Sequence, residues 1–130
     1  MTKKIPVPTG SRTEFIDVTA KVQQVVEESG INEGTCTVYV PHTTAAITIN
    51  ENADPSVTRD ILSSLNDLIP FDAGYTHAEG NSAAHIKASI IGSSETVIVA
   101  EGRLALGTWQ GIYYCEFDGP RRRTLLVQVR

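Results

Sequence analysis

The residues with the widest chemical range in this chain are its three histidines, His42, His77 and His85. Each falls at a loop or at the end of an expected element, where a scaffold presents functional side chains. Three imidazoles with one open position form a known catalytic zinc arrangement, because neutral nitrogen donors leave the metal acidic enough to activate water. His77 and His85 span a loop and the start of a helix, so both can point into one cleft. No His-Glu-x-x-His fingerprint is present, and three separate surface or core histidines are the competing reading. The carboxylates near them are Glu51, Asp54, Asp60 and Glu79. Glu51 follows the strand that leaves His42, which suits a general base or an orienting partner, or else a solvated loop residue.

Two further segments add binding groups. Gly107-Thr-Trp-Gln-Gly111 sets the only tryptophan between glycines. Glycine permits close backbone approach to a ligand, and Trp109 offers a flat apolar platform with one N–H donor. A tight bend with a core tryptophan is the alternative. Asp118-Gly-Pro-Arg-Arg-Arg123 concentrates positive charge at Arg121, Arg122 and Arg123. Guanidinium groups hold phosphate oxygens in two-pronged fashion, so this segment is a candidate phosphate clamp; a solvated strand edge is the other reading. Asn81 is placed to orient a polar ligand or to cap a helix.

These residues need elements to position them. Thr13–Val18 reads as a strand. Thr19 is a candidate cap for a helix carrying Val22, Val25, Val26 and Ser29 on one face, and Gly30 is its stop. Thr35–Val40 and Ala45–Ile49 read as strands joined by Pro41-His42-Thr43-Thr44, a loop length that suits a hairpin. Asp54 and Pro55 open an amphipathic helix whose stripe is Val57, Ile61, Leu62, Leu65, Leu68 and Ile69, halted by Pro70. Residues 71–82 lack a period and form a long loop of the kind that often carries function. A short helix Ala83–Ile91 follows, capped by Asn81 or Ser82 and ended by Gly92. Strands are then expected over Glu95–Ala100, near Arg103–Leu106, and around Ile112–Phe117 and Thr124–Val129, with Asp118-Gly119-Pro120 as a turn between the last two. That order predicts one α+β domain over residues 1–130. Its sheet is mostly antiparallel, with two main helices and one short helix packed on one side.

A 130-residue chain with 41% hydrophobic and 20% charged residues has the composition of an ordinary globular domain. The formal net charge of -4 argues against a nucleic-acid binder. No apolar run approaches the ~20 residues that cross a bilayer, and the N-terminus lacks a signal-peptide core, so a cytoplasmic protein is expected. Cys36 and Cys115 are far apart in apolar stretches and read as small buried hydrophobes rather than as a disulfide or metal pair.

The blocks His42-Thr-Thr-Ala-Ala-Ile-Thr-Ile-Asn-Glu51, His77-Ala-Glu-Gly-Asn81 with Ala84-His85-Ile-Lys-Ala-Ser, Leu106-Gly-Thr-Trp-Gln110 and Glu116-Phe-Asp-Gly-Pro-Arg-Arg-Arg123 together resemble the YjbQ family, also called the secondary thiamine-phosphate synthase family. The resemblance implies a compact α+β subunit in a homotrimer, with the histidines near a subunit boundary. It also implies a weak transferase activity that joins a pyrimidine diphosphate to a thiazole phosphate and releases diphosphate. The corresponding roles are His42, His77 and His85 as metal or phosphate ligands, and Glu51 and His85 as catalytic groups. Asn81, Trp109, Gln110, Arg121 and Arg123 would bind substrate. The cofactor expected is a divalent metal, zinc for a histidine site or magnesium for diphosphate chemistry. The competing functions are a metal-dependent hydrolase of a small phosphorylated or cyclic metabolite and a non-catalytic trimeric anion-binding module.

Overall fold

In the computed structural model, which describes Met1–Arg130, eight strands and three helices follow the order β-β-α-β-β-α-α-β-β-β-β. The strands are β1 Thr2–Pro8, β2 Glu14–Asp17, β3 Gly34–Tyr39, β4 Ala45–Glu51, β5 Ser94–Ala100, β6 Arg103–Leu104, β7 Gln110–Glu116 and β8 Arg122–Val129. The helices are α1 Thr19–Ser29, α2 Pro55–Leu68 and α3 Ser82–Ile91. The α+β, antiparallel reading holds, but the strands form two sheets instead of one. The first has the order β1-β8-β3-β5-β6 and the second β2-β7-β4.

Inward-facing residues of both sheets meet in one core. Cys36, Val38, Val97, Val99, Leu125, Val127 and Val129 come from the first sheet, and Ile47, Ile112 and Tyr114 from the second. α1 completes this layer with Val22, Val25 and Val26. A smaller core on the other face of the second sheet joins Ala46, Cys115 and Phe117 to Ala84 and Ala88 of α3, with Leu62 and Leu65 of α2 packed alongside. Both cysteines are free and buried, as expected. No helix is long and apolar enough to cross a membrane.

Local signals place the helix ends well. The Asp54 carboxylate accepts from Ser56 N–H at 2.9 Å with Pro55 in the first turn, and Gly30 closes α1 at φ 69°. Four details differ from expectation. Val18, not Thr19, holds the cap position of α1. The Thr19 hydroxyl is drawn elsewhere, donating to Asp17 Oδ1 at 2.6 Å and accepting Ile112 N–H at 2.8 Å. The stripe of α2 is only half-buried, and Leu68 is 77% exposed, because the helix covers the outer surface instead of entering the core. β1 has no counterpart in the sequence reading; as an edge strand paired only with β8, it tolerates Pro6 and Pro8. Finally, β3 and β4 are not a hairpin. Residues 40–44 carry the chain from one sheet to the other, and that crossing puts His42 at the rim between them.

Candidate functional site

The second sheet has two polar ends. In the β4–β7 ladder Ala45 faces Glu116 at one end and Glu51 faces Gln110 at the other. The chain segments that meet at the first end are residues 41–44, the 70–81 loop with the start of α3, and the β7–β8 connection. They enclose a cleft of about 520 Å³ lined by His42, His77, His85, Asn81, Arg121 and Arg123, with Thr43, Thr44, Glu79 and Asp118. Pro41 is its only apolar side chain. A smaller lobe of about 340 Å³ shares His42 and His85. Three histidines from distant parts of the chain therefore line one space.

Beneath the cleft lies an ion pair that bridges the two sheets. Arg123 of β8 and Glu116 of β7 have side chains 5% and 0% exposed. Arg123 Nε donates to Glu116 Oε1 at 2.8 Å and Nη2 to Oε2, while Nη2 also donates to Thr44 Oγ1 at 2.8 Å. Thr9 Oγ1 donates to Glu116 Oε1 at 2.7 Å and Asp118 N–H to Oε2 at 3.0 Å. Burial pushes the Glu116 carboxyl up, but the hydrogen bonds from Arg123, Thr9 and Asp118 outweigh it and hold the group below its usual range. The remaining guanidinium nitrogen, Arg123 Nη1, has no protein partner, and Arg123 is part of the cleft lining. Arg121 folds onto Asp118, Nε to the carbonyl oxygen at 2.8 Å and Nη2 to Oδ2 at 3.0 Å. Burial would raise the Asp118 carboxyl; hydrogen bonds from Asn81 and Arg121 win and lower it.

The histidines are not equivalent. Thr124 N–H donates to His42 Nε2 at 3.0 Å, so the one lone pair of the neutral ring is used and Nδ1 carries the proton. Burial first, and then the Arg123 charge, lower the His42 pKa and keep that neutral form; Glu116 opposes them. His42 is thus a donor. His77 and His85 stand edge to face with ring centroids 5.4 Å apart, and neither ring nitrogen of either takes part in a hydrogen bond. No three His, Cys, Asp or Glu side chains are grouped closely enough to hold an ion together. The three histidines are therefore not grouped as ligands of one ion, and only the rings of His77 and His85 pack against each other. Asn81 occupies the cap position of α3 but makes no capping bond; its Nδ2 donates instead to Asp118 Oδ2 at 2.9 Å.

Three of the expected site residues are elsewhere. Glu51, Trp109 and Gln110 cluster at the opposite end of the β4–β7 ladder, roughly 20 Å along the strand from Ala45. Glu51 Oε2 accepts Asp54 N–H at 3.2 Å, and Gln110 Oε1 accepts Gly107 N–H at 2.8 Å. Trp109 is 63% exposed. The space above Gly111 is filled by Asn52, whose side chain a Cβ there would strike, so this glycine admits a side chain of the protein and not a ligand. Conversely, Asp118 and Thr44 line the cleft and Glu116 lies buried beneath it, and these three escaped the sequence reading as site residues. Glu116 did carry a signal: a carboxylate inside the otherwise apolar run Ile112–Phe117 requires a buried partner.

A family model described as "UPF0047 protein YjbQ-like" matches residues 3–130. The chain belongs to the YjbQ-like UPF0047 family. Relatives in this family include UPF0047 protein MJ1081 of Methanocaldococcus jannaschii, 52% identical with 97% of this chain and 91% of the relative covered. UPF0047 protein YugU of Bacillus subtilis is 51% identical, with 99% and 98% covered. A crystal structure of an uncharacterised conserved YjbQ/UPF0047 protein from Clostridium acetobutylicum superposes with a TM-score of 0.97 at 53% identity, covering 98% of this chain and 99% of that one. A protein of unknown function from Sulfolobus solfataricus, described as YbjQ-like, reaches 0.96 at 36% identity, with 99% and 95% covered. The YjbQ-like fold is thus shared along the whole chain, and the cleft lies within the matched span.

Proposed function

We propose that the cleft binds the phosphate of a small phosphorylated molecule and that the reaction is a weak thiamine-phosphate-synthase-type transfer. The observation that carries this reading is the convergence of Arg123, His42 and the two unbonded imidazoles of His77 and His85 on one polar space. In such a transfer the bond from carbon to the diphosphate oxygen breaks, and its electron pair leaves with the diphosphate. The lone pair of the thiazole nitrogen forms the new carbon–nitrogen bond, so no proton has to be removed. What the protein must supply is stabilisation of charge on the leaving oxygens. Arg123 is held rigid by Glu116 for that purpose, and His42 adds a second donor. His85, or His77 beside it, delivers a proton to the departing group. In place of that proton transfer, a zinc ion held by His77 and His85 would polarise the phosphate oxygens, whereas a magnesium ion would call for oxygen ligands.

A homotrimer is the assembly proposed, with the cytoplasm as compartment, and only a neighbouring copy can bring Glu51, Trp109 and Gln110 to the cleft. The second reading is hydrolysis of a phosphorylated metabolite, favoured by the two free imidazoles, which suit activation of water. The test is incubation with a hydroxymethylpyrimidine diphosphate and a thiazole phosphate. Joined product and diphosphate in equal amounts are expected. Phosphate or diphosphate released without joining selects the hydrolase; binding without turnover, with or without zinc or magnesium, selects the anion-binding module.

A further inference from the structure

The segment between α2 and α3 carries His77 and Glu79 into the cleft lining, yet few contacts hold it there. Its own hydrogen bonds are local. The Tyr75 hydroxyl donates to the Pro70 carbonyl oxygen at 2.7 Å, and Gly80 N–H donates to the His77 carbonyl oxygen at 3.2 Å. No hydrogen bond or ion pair joins residues 71–80 to any part of the chain beyond residues 70–81. At the end of the segment, the bond from Asn81 Nδ2 to Asp118 fixes the start of α3. At its beginning the anchor is the Phe71 ring, with Arg12 Cζ 3.4 Å and Lys87 Nζ 4.1 Å from the ring centroid.

Lys87 is the unusual member of this anchor. It follows His85 by two residues in α3, about 200° around the helix, so His85 lines the cleft while Lys87 is 0% exposed. Lysine is almost never fully buried unless it is paired, and Lys87 takes part in none of the chain's ion pairs. Its Nζ donates to Asn66 Oδ1 of α2 at 2.7 Å, and Asn66 Nδ2 donates in turn to Thr13 Oγ1 at 3.3 Å. Burial first, and then the Arg12 charge, oppose the ammonium and lower its pKa. A methionine would fill the same slot without that cost. What the charge adds is attraction to the negative face of the Phe71 ring, which an apolar chain cannot supply. We propose that Lys87 is a positioning residue for the cleft: its ammonium grips the Phe71 ring, and through that ring it fixes the loop that sets His77 against His85.

The experiment is proton NMR of the full chain, which needs no substrate and is independent of the phosphate reading. In the edge-to-face pair each imidazole lies in the ring current of the other, 5.4 Å away, so the ring protons of His77 report its contact with His85. Lys87→Met removes the cation and Phe71→Leu removes the aromatic face, each keeping apolar bulk. Both should move the His77 ring protons to the positions of an unpacked histidine. Phe71→Tyr keeps the aromatic face and should retain the wild-type positions. His77 signals that stay in place in Phe71→Leu overturn the inference, as do signals that move in Phe71→Tyr as far as in Phe71→Leu. Movement in Phe71→Leu without movement in a folded Lys87→Met also overturns it, because the loop then needs the ring and not the cation. If Lys87→Met does not fold, the two Phe71 variants decide.

Discussion

The two ends of the β4–β7 ladder are built from the same pair of strands and both carry polar side chains, yet they differ in how those side chains are used. At the Glu51–Gln110 end the polar groups close their own loops: Glu51 takes Asp54 N–H, Gln110 takes Gly107 N–H, and the Tyr113 hydroxyl donates to the Glu51 carbonyl oxygen at 3.1 Å. At the Ala45–Glu116 end a buried ion pair and a buried hydrogen-bond network are assembled, and several groups are then left over, among them Arg123 Nη1, Asn81 Oδ1 and two imidazoles. A polar cluster that satisfies itself is structural. One that spends buried charge and still keeps free bonding capacity is the better candidate for chemistry.

That contrast can be broken or sharpened by substitution. The largest effect is expected for His85→Ala, which should reduce turnover by about 10²–10⁴-fold if His85 transfers a proton. If His85 holds zinc instead, the same variant should lose the metal in elemental analysis, whereas His42→Ala should retain it; equal zinc in wild type and His85→Ala would reject the two-imidazole site. Arg123→Ala comes next. It strands the Glu116 carboxylate without its partner and should cost about 3–5 kcal/mol in chemical denaturation, together with phosphate binding. If the melt barely moves, the ion pair is not what joins the sheets beneath the cleft.

A smaller effect concerns pH. Glu116 and Asp118 both have carboxyl groups lowered below their unfolded values of 4.5 and 3.8. A lowered folded pKa means that the unfolded chain binds more protons in this range, so stability rises with pH there. The stabilisation is fully present above pH ~5 and is lost as the pH falls through 4 and below. Denaturation midpoints should drop over that window, and Glu116→Gln should flatten the drop; an unchanged profile would count against the network. The smallest effects belong to the other end. In the isolated chain, Glu51→Gln should change phosphate affinity by less than about twofold, and Trp109→Ala should shift stability by no more than about 0.5 kcal/mol, as for an exposed side chain. A large loss of activity in either would show that a neighbouring copy brings this end to the cleft.

Much of the fold was legible because its signals are local. Asp54-Pro55 opening α2, Gly30 and Gly92 ending α1 and α3, and the turn at Glu101-Gly102 each depend on a few neighbouring residues. Strand pairing is not local, and there the reading slipped. β3 and β4 are adjacent in sequence and separated by a short loop, yet they pair with β5, β8 and β7 and not with each other. The false hairpin assumes that neighbours in sequence share one edge, whereas the distance of Glu51 from His42 follows from the length of β4. β1 was hidden because Pro6 and Pro8 argue against a strand unless it is known to lie at an edge.

The residue types fixed which groups could react: three imidazoles, an arginine cluster and a handful of carboxylates, recurring in a recognisable order. They also fixed the helices, whose hydrogen bonds close within a few residues. Only the tertiary structure decided which groups meet, because the crossing of residues 40–44 between two sheets brings His42 to Thr124 and into one cleft with Arg123. It decided the protonation of His42 as well, since the N–H that fills its lone pair belongs to Thr124, a residue 82 positions distant. Contacts of that range depend on how the sheets stack, and no short window of sequence holds that information.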